Sequence, residues 1–440
     1  MKQRRRVVWL ILLAAAIGLL AGCGAADNPQ NQEGEPAKQE EMSTEPVTLR
    51  LQYFGFLISP EEVQQFVAEP IKKKYPFITV EYMPQVKGVP LEMLVQTGNA
   101  PDIVFTDFVN SIPVMNYKLP LDLSPHVKAN KVDLTRFDPE ILKGIQSIGR
   151  SGELYGLPFY SEKFVMFYNK NLFDKFGVPY PTDQMSYDDL LNTIRRVTRV
   201  EDGVQYTGMA SHNVQTTGTF WGIPVMNEKT GRADFQTEAW KKVLTLVKDI
   251  RTIPGNLQGS TLKFYKDQTQ ALMPQMANVM LNLLKTVDGS FDWDMVAMPQ
   301  HKDYPGISGA VRPSYLLVSQ MSKHKEQAAA AVSYLTTSAE HHMNLAKHGK
   351  LPPVKLASAN DPLLQQFGSE VSLLKGKHVQ ALFLHKSASL PYITEYDKIA
   401  ATELNRADGW VVNGTHDVNT ALRMAEESAN KLIDEQKNAK

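Results

Sequence analysis

"VTLRLQYFGFLISPEEVQQFVAEPIKKKYPFITVEYM", Val47–Met83, changes its hydrophobic period twice, and those changes decide the fold. Val47, Leu49, Leu51 and Tyr53 alternate with Thr48, Arg50 and Gln52, the two-residue period of a strand. Ser59 then stands as a helix cap, Pro60 fits the first helical position, and Glu62 completes a Ser-x-x-Glu capping box. Val63, Phe66, Val67 and Ile71 fall on one side of that helix. Pro70 has no N–H to donate, so it should bend or shorten the helix. Alternation returns in "ITVEYM", Ile78–Met83, as a second strand.

Working outward, "PLEMLVQTG" reads as a helix and "PDIVFTD", Pro101–Asp107, as a third strand. Strands joined through helices lie parallel with right-handed crossovers, so the folded part should open on a parallel α/β sheet. Ligands of such sheets bind outside the carboxyl ends of the strands. Those ends carry Tyr53, Phe54 and Gly55, and Thr106, Asp107 and Phe108.

Upstream, Lys2, Arg4, Arg5 and Arg6 precede the apolar run Val7–Leu20, the layout of a secretion signal over residues 1–22. The run is 14 residues, short of the roughly 20 that span a bilayer as a helix. Leu20, Ala21 and Gly22 before Cys23 resemble the lipobox of bacterial lipoproteins, which implies cleavage there and acylation of Cys23. The alternative is a cysteine that merely ends a hydrophobic run. Cys23 is the single cysteine of the chain, so no intrachain disulfide can form. Residues 23–46, rich in Asn, Gln, Glu, Pro and Ala, read as a flexible tether. The remaining residues, about 390, suit two domains better than one core. Without the signal, 43 basic residues face 47 acidic ones, and no basic stripe for nucleic acid occurs.

"GELYGLPFYSEKFVMFYNKNLFDKFGVPYPT", Gly152–Thr182, combines a Tyr-Gly-Leu-Pro turn, a strand ending in Tyr-Asn-Lys, a short helix closed by Gly177 and a Pro-rich turn. With "PDIVFTD" followed by "LPLDL" (Leu119–Leu123), "WDMVAMP" (Trp293–Pro299) and the run from Ser314 to Pro353, this order resembles family 1 extracellular solute-binding proteins, the sugar-binding components of bacterial ABC importers. The resemblance implies a two-lobed periplasmic-binding-protein-like α/β fold, each lobe a mainly parallel sheet flanked by helices, joined by a multi-strand hinge. It places lobe 1 at 47–159 plus 300–351 and lobe 2 at 160–299 plus 352–440. It also implies a monomeric, non-enzymatic receptor, lipid-anchored on the extracytoplasmic face, that captures a carbohydrate, hands it to an ABC permease and needs no cofactor. The chain departs from the family pattern in having Tyr53 and Phe54 where a tryptophan is common, and "SGAVRPSY", Ser308–Tyr315, where glycines are common.

The second lobe also reads directly. Ser186 caps "YDDLLNTIRRVTRV" with Asp189 three residues on, and Leu190, Leu191, Ile194 and Val197 form its apolar stripe. "EAWKKVLTLVKDI" repeats the pattern, "NVMLNLL" (Asn278–Leu284) and "DMVAMP" read as short strands, and "YLLVS" followed by "KEQAAAAVSYL" as a strand and a helix. "DVNTALRMAEESANKLIDEQ" is an amphipathic helix with Val418, Ala421, Leu422 and Ala425 on one face.

Sugars present hydroxyl edges and weakly apolar faces, so their sites need aromatic platforms with carboxylates, amides and arginine. Trp221, in the polar loop "TTGTFWGIPVMN", either stacks on ligand or fills the core. Tyr53 and Phe54 must face opposite sides of their strand. Asp107 is a ligand contact or a cap for the next helix. Tyr160 and Glu162 fall where the resemblance places the first interlobe crossing, Glu162 accepting hydroxyl protons or bracing the hinge. Arg312 grips a hydroxyl pair or a ligand carboxylate, or else makes a surface salt bridge, and Tyr315 joins it. Met273, Met276 and Met280 are packing material, and His341, His342 and His348 lack the companions of a metal site. No His-Glu-x-x-His, Gly-x-Ser-x-Gly or phosphate-loop pattern occurs. The rival functions are a glycoside hydrolase with Asp107 and Glu162 as its carboxyl pair, or the same fold holding a polyamine, a peptide or a ferric ion, the last through Tyr160 and Tyr315.

Overall fold

The alternation at Val47 becomes β1 (Val47–Phe54), with Leu49 and Leu51 sealed in the interior. The computed structural model describes residues 42–439 apart from 56–57, 86–88, 109, 150–151, 211, 258, 288–289, 304–305, 359, 389 and 391–392; the signal, Cys23 and nearly all of the tether lie outside the described residues. β2 (Ile78–Tyr82) and β3 (Ile103–Asp107) flank β1 in parallel. The intervening helix starts at Pro60 with the Ser59–Glu62 capping box formed in both directions. Pro70 neither ends nor breaks it. The helix widens into a π-turn over Gln64–Ala68, where the Glu69 N–H donates to the Gln64 carbonyl, and continues to Lys74. A π-turn is a recognised way of absorbing such a disturbance in the i to i−4 ladder.

The chain goes on through β4 (Leu157–Glu162), β5 (Phe164–Asn169), β6 (Arg199–Glu201), β7 (Val204–Met209), the small hairpin β8–β9 (Met226–Asn227, Arg232–Ala233), β10 (Gln270–Met276), β11 (Trp293–Val296), β12 (Ile307–Ala310), β13 (Arg312–Val318) and β14 (Lys386–Ala388). One sheet has the order β2-β1-β3-β13-β4 and the other β11-β5-β10-β7-β6. Each is the floor of its own lobe, the first with Leu49, Phe105 and Leu316 in its core, the second with Met166, Trp240 and Leu272.

The two-lobed α/β architecture is as expected, but the sheets are not mainly parallel. β13 pairs antiparallel with both β3 and β4. In the second sheet only β10–β7 is parallel, while β10–β5, β11–β5 and β6–β7 are antiparallel. The reason is topological. Strands that enter a lobe from the other lobe, as β13 and β5 do, arrive without a local crossover helix and are free to run against their neighbours.

Passage between the sheets is tight at β4 and β5, which are separated only by Lys163. Ser161 N–H donates to the Leu351 carbonyl (2.8 Å), and Asp138 N–H to that of Pro353 (3.0 Å), so a later pass of the chain runs beside the first. "NVMLNLL" is not a strand. Ala277–Leu284 is a helix directly after β10, and its buried Ala277, Met280, Leu281 and Leu284 follow i, i+3, i+4, i+7 spacing. The helices Asp397–Val412 and Val418–Asn438 pack as a pair on the second core, through Leu404 and Ala407 of one and Leu422 and Ala425 of the other. Val418 itself is only half-buried.

Candidate functional site

At its carboxyl end β3 delivers Asp107 and turns into the helix Ser111–Asn116. Asp107 Oδ1 accepts from the Asn110 backbone (2.8 Å) and side-chain amide (3.0 Å), and Oδ2 from the same side-chain amide (2.8 Å). The turn can close this tightly because residue 55, at the end of β1, is glycine. Its φ is +86°, and a Cβ there would lie 2.2 Å from Asn110 Cγ.

These residues form one wall of a recess of about 530 Å³. Gln215 and Thr219, on the helix Val214–Thr219 of the second lobe, form another wall, Thr394–Asn405 a third, and Val311 and Arg312 the floor where the chain enters β13. The second-lobe wall is anchored from behind. Asn213 caps its own helix (2.8 Å to Thr216 N), Asp408 Oδ2 accepts from Val214 N–H (3.1 Å) and Asn405 Oδ1 from Gln215 N–H (3.2 Å). Asp408 also pairs with Arg251 at 3.2 Å. Asp397 Oδ1 accepts from the backbone and hydroxyl of Thr394 (2.6 and 2.8 Å), and burial raises its pKa to about 6 against those hydrogen bonds.

Of the residues singled out from the sequence, Asp107 and Arg312 meet in this recess. Asp107 serves as a cap for its own turn and borders the recess as well. Arg312 lies with its guanidinium 5.8 Å from the centroid of the Phe164 ring. Burial lowers its pKa, and Asp107 acts in the opposite sense. Trp221 does not border the recess: its indole N–H donates to Tyr187 Oη (3.1 Å) and its ring packs in the second core, while Thr219 and Ile223 on either side of it do. Tyr53 stacks on Tyr82 (6.4 Å between centroids), Phe54 is partly buried against the first core, and neither borders the recess.

Tyr160 and Tyr315 are sealed in the first core, 2% and 1% exposed, because β4 and β13 are covered on both faces. Burial drives both phenol pKa values well up. Two tyrosines so placed cannot offer a ferric ion a shared cleft, and among the described residues no group of three or more His, Cys, Asp or Glu side chains could hold a metal ion. Glu162 is 1% exposed and also lies off the recess. It accepts from the Asn278 backbone (3.3 Å) and side chain, and burial pushes its pKa up to about 7 despite the nearby Lys350 ammonium. Asp107 and Glu162 therefore do not face one another across a common space, which removes the carboxyl pair of the hydrolase reading.

Sequence reasoning missed Asn110, Gln215, Thr219 and the whole wall from Thr394 to Asn405. A local trace of the last was present: "TEYD", Thr394–Asp397, sets an Asp three residues after a Thr before a periodic run, and the Thr394 backbone and hydroxyl donate to Asp397 where the helix starts, although Thr394 is not its cap.

The family model described as "Bacterial extracellular solute-binding protein" matches residues 58–341. No curated protein sequence matches the chain. Among solved structures, an ABC substrate-binding protein from Listeria monocytogenes in complex with cycloalternan superposes with a TM-score of 0.69 at 17% identity, covering 89% of this chain and 100% of that one. The cyclic alpha-maltosyl-1,6-maltose binding protein from Arthrobacter globiformis gives 0.70 at 16% identity, with 88% and 98% covered. The sugar-binding protein MalE from Xanthomonas citri gives 0.67 at 19%, with 89% and 98% covered. At these identities the likeness is one of fold.

Proposed function

The chain belongs to the bacterial extracellular solute-binding protein family, and from that premise we propose that it is a monomeric receptor which captures a carbohydrate between its lobes and passes it to an ABC permease. The observation that carries this reading is the recess of about 530 Å³ whose walls come from both lobes and whose floor is a connecting strand. A space of that size lies in the range of small-ligand sites, and its amide, hydroxyl and charged side chains suit a ligand edged with hydroxyl groups. The Listeria and Arthrobacter neighbours are described with cyclic oligosaccharides, which agrees with that chemistry. Closure follows as a population shift, since a cargo touching both walls favours the closed form by its difference in affinity for the two forms.

The lipobox-like run before Cys23 supports an anchor at the extracytoplasmic membrane face, with residues 24–46 as the tether that lets the receptor reach its permease. Among the described residues no helix is long and apolar enough to cross a membrane.

The test is a thermal-shift screen of the purified chain against a carbohydrate library. A cargo at 100 times its Kd should add about 2.7 kcal/mol to stability, read as a higher melting temperature. Silence across all sugars with a response to amines, peptides or metal ions would move the cargo out of the carbohydrate class. Release of new reducing ends would make the protein a hydrolase.

A further inference from the structure

The crossing from the first sheet to the second holds two carboxylates and one ammonium close together. Glu162, the last residue of β4, is 1% exposed and accepts from the backbone (3.3 Å) and the side-chain amide of Asn278, which stands on the helix that follows β10 of the second sheet. That contact ties a strand of one lobe to a helix of the other. Lys350, on the pass that runs beside the crossing, is the cation acting on Glu162, yet its Nζ donates to Glu62 of the first lobe and lies 5.2 Å from the centroid of the Tyr160 ring. Glu62 in turn acts against the charge of Glu162. The other basic groups beside it are engaged elsewhere. Lys163 Nζ donates to the carbonyls of Leu382 (3.0 Å) and His385 (2.9 Å), and Arg312, opposite Glu162 in the β13–β4 register, is acted on by Asp107 and lies over the Phe164 ring. One ammonium between two carboxylates leaves a negative charge over, and a buried charge without full compensation favours its neutral form or a route to water.

When two lobes move as rigid bodies, the backbone rotation falls on the few residues that join them, and only Lys163 separates β4 from β5. The Lys163 carbonyl accepts from Ala277 N–H (3.0 Å), so the start of the helix moves with Lys163, and rotation at the Glu162–Lys163 junction displaces Glu162 from Asn278. We propose that Glu162 is a proton-operated latch of this hinge: protonated, it keeps the lobes in the arrangement described above, and ionised, it frees the crossing to turn until the carboxylate reaches water. The inference goes beyond cargo capture and rests on the lobe movement of the receptor reading. A protonated carboxyl still accepts from Asn278 through its carbonyl oxygen. Burial sets the direction: the pKa of Glu162 stands at about 7 here against an ordinary 4.5, so between those values the sealed arrangement keeps a proton that a solvated one has released, and falling pH favours it. Above pH 7 the whole difference acts against the sealed arrangement, at most about a 300-fold change in the balance between the two.

The test is the distance between spin labels at Lys72→Cys on the first lobe and Lys229→Cys on the second, both exposed positions, read by double electron–electron resonance. It uses the full-length chain with Cys23→Ser, so that only the introduced thiols are labelled, without cargo, at pH 5.5 and pH 8.5. At pH 5.5 the distance between these positions in the present structure is expected, and at pH 8.5 a second population beside it. Glu162→Gln, which stays neutral, should show the first distance alone at both pH values. An identical distribution at both pH values with the hinge unaltered overturns the latch, and that comparison needs no hinge variant to fold. A pH response that persists in Glu162→Gln overturns it too, since another group then titrates. Because no cargo is present, either failure leaves the receptor reading standing, and the sugar screen tests that reading separately.

Discussion

At the crossing between the lobes, Glu162 is 1% exposed, hydrogen-bonded to Asn278, and close enough to Lys350 for that ammonium to favour its charged form. Burial still prevails and lifts its pKa from 4.5 to about 7. Below pH 4.5 the group is protonated whether the chain is folded or not. Between 4.5 and 7 the unfolded chain has released a proton that the folded one keeps, so rising pH removes stability, on the order of 3 kcal/mol by pH 7 and beyond. Glu162→Gln should flatten that slope. The measurement is urea unfolding at pH 5 and pH 7.5, and equal slopes in the two proteins would refute it. His341 and His342, held neutral by burial with pKa values near 3 and 4, work in the opposite direction as pH falls below 6.5, so the difference between wild type and variant is the quantity to compare. At this scale the placing of Asp107 and Arg312 beside one recess is legible in the sequence, because one ends a strand and the other is a lone charge in an apolar stretch that opens another. Trp221, Tyr160 and Tyr315 are not, because a ring that stacks on cargo and a ring that fills a core have the same local pattern, and only tertiary burial separates them.

The short helix Val214–Thr219 spans six residues and could not hold its position alone. Its first turn hangs on the side chains of Asp408 and Asn405, both from the helix Asp397–Val412, and Asp408 is held in turn by Arg251. Asp408→Ala leaves Arg251 without its paired carboxylate and the Val214 N–H without its acceptor. The expected cost is about 3 kcal/mol in chemical denaturation, with weakened cargo binding because Gln215 and Thr219 lose their fixed backbone. Unchanged binding with unchanged stability would show that the wall stands without this brace. Elements with a strong period and a cap, such as Pro60–Lys74, Tyr187–Val197 and Glu238–Arg251, are readable from sequence, since local bonds decide them. Asn278–Leu284 is not, because an apolar run this short fits both periods, and its identity is settled by β10 ending at Met276. Strand direction is equally hidden: a sequence shows that β13 is a strand, not which lobe the chain has just left.

On the scale of the whole molecule, what makes a receptor of a cleft is that its cargo touches both sides. In the receptor proposed above, one side would be Asp107 and Arg312, carried by β3 and β13 of the first sheet, and the other Gln215 and Thr219 on the second lobe, all of which border the same recess. Moving an open-to-closed balance from 1:99 to 99:1 needs about 5.5 kcal/mol of differential affinity, more than either side's few hydrogen bonds provide at about 1 kcal/mol each. Removing the second side alone should therefore separate capture from closure. In the double variant Gln215→Ala, Thr219→Ala the cargo is expected to bind roughly 30-fold more weakly, as two lost hydrogen bonds imply, through the Asp107–Arg312 side that remains. The loss should reach further than affinity. Small-angle scattering of the wild type should show a smaller radius of gyration with saturating cargo, and the double variant at its own saturating concentration should keep the dimensions of the cargo-free form. Full compaction of the double variant would mean that closure does not draw on Gln215 and Thr219, and the argument for a clasp between these two walls would fail.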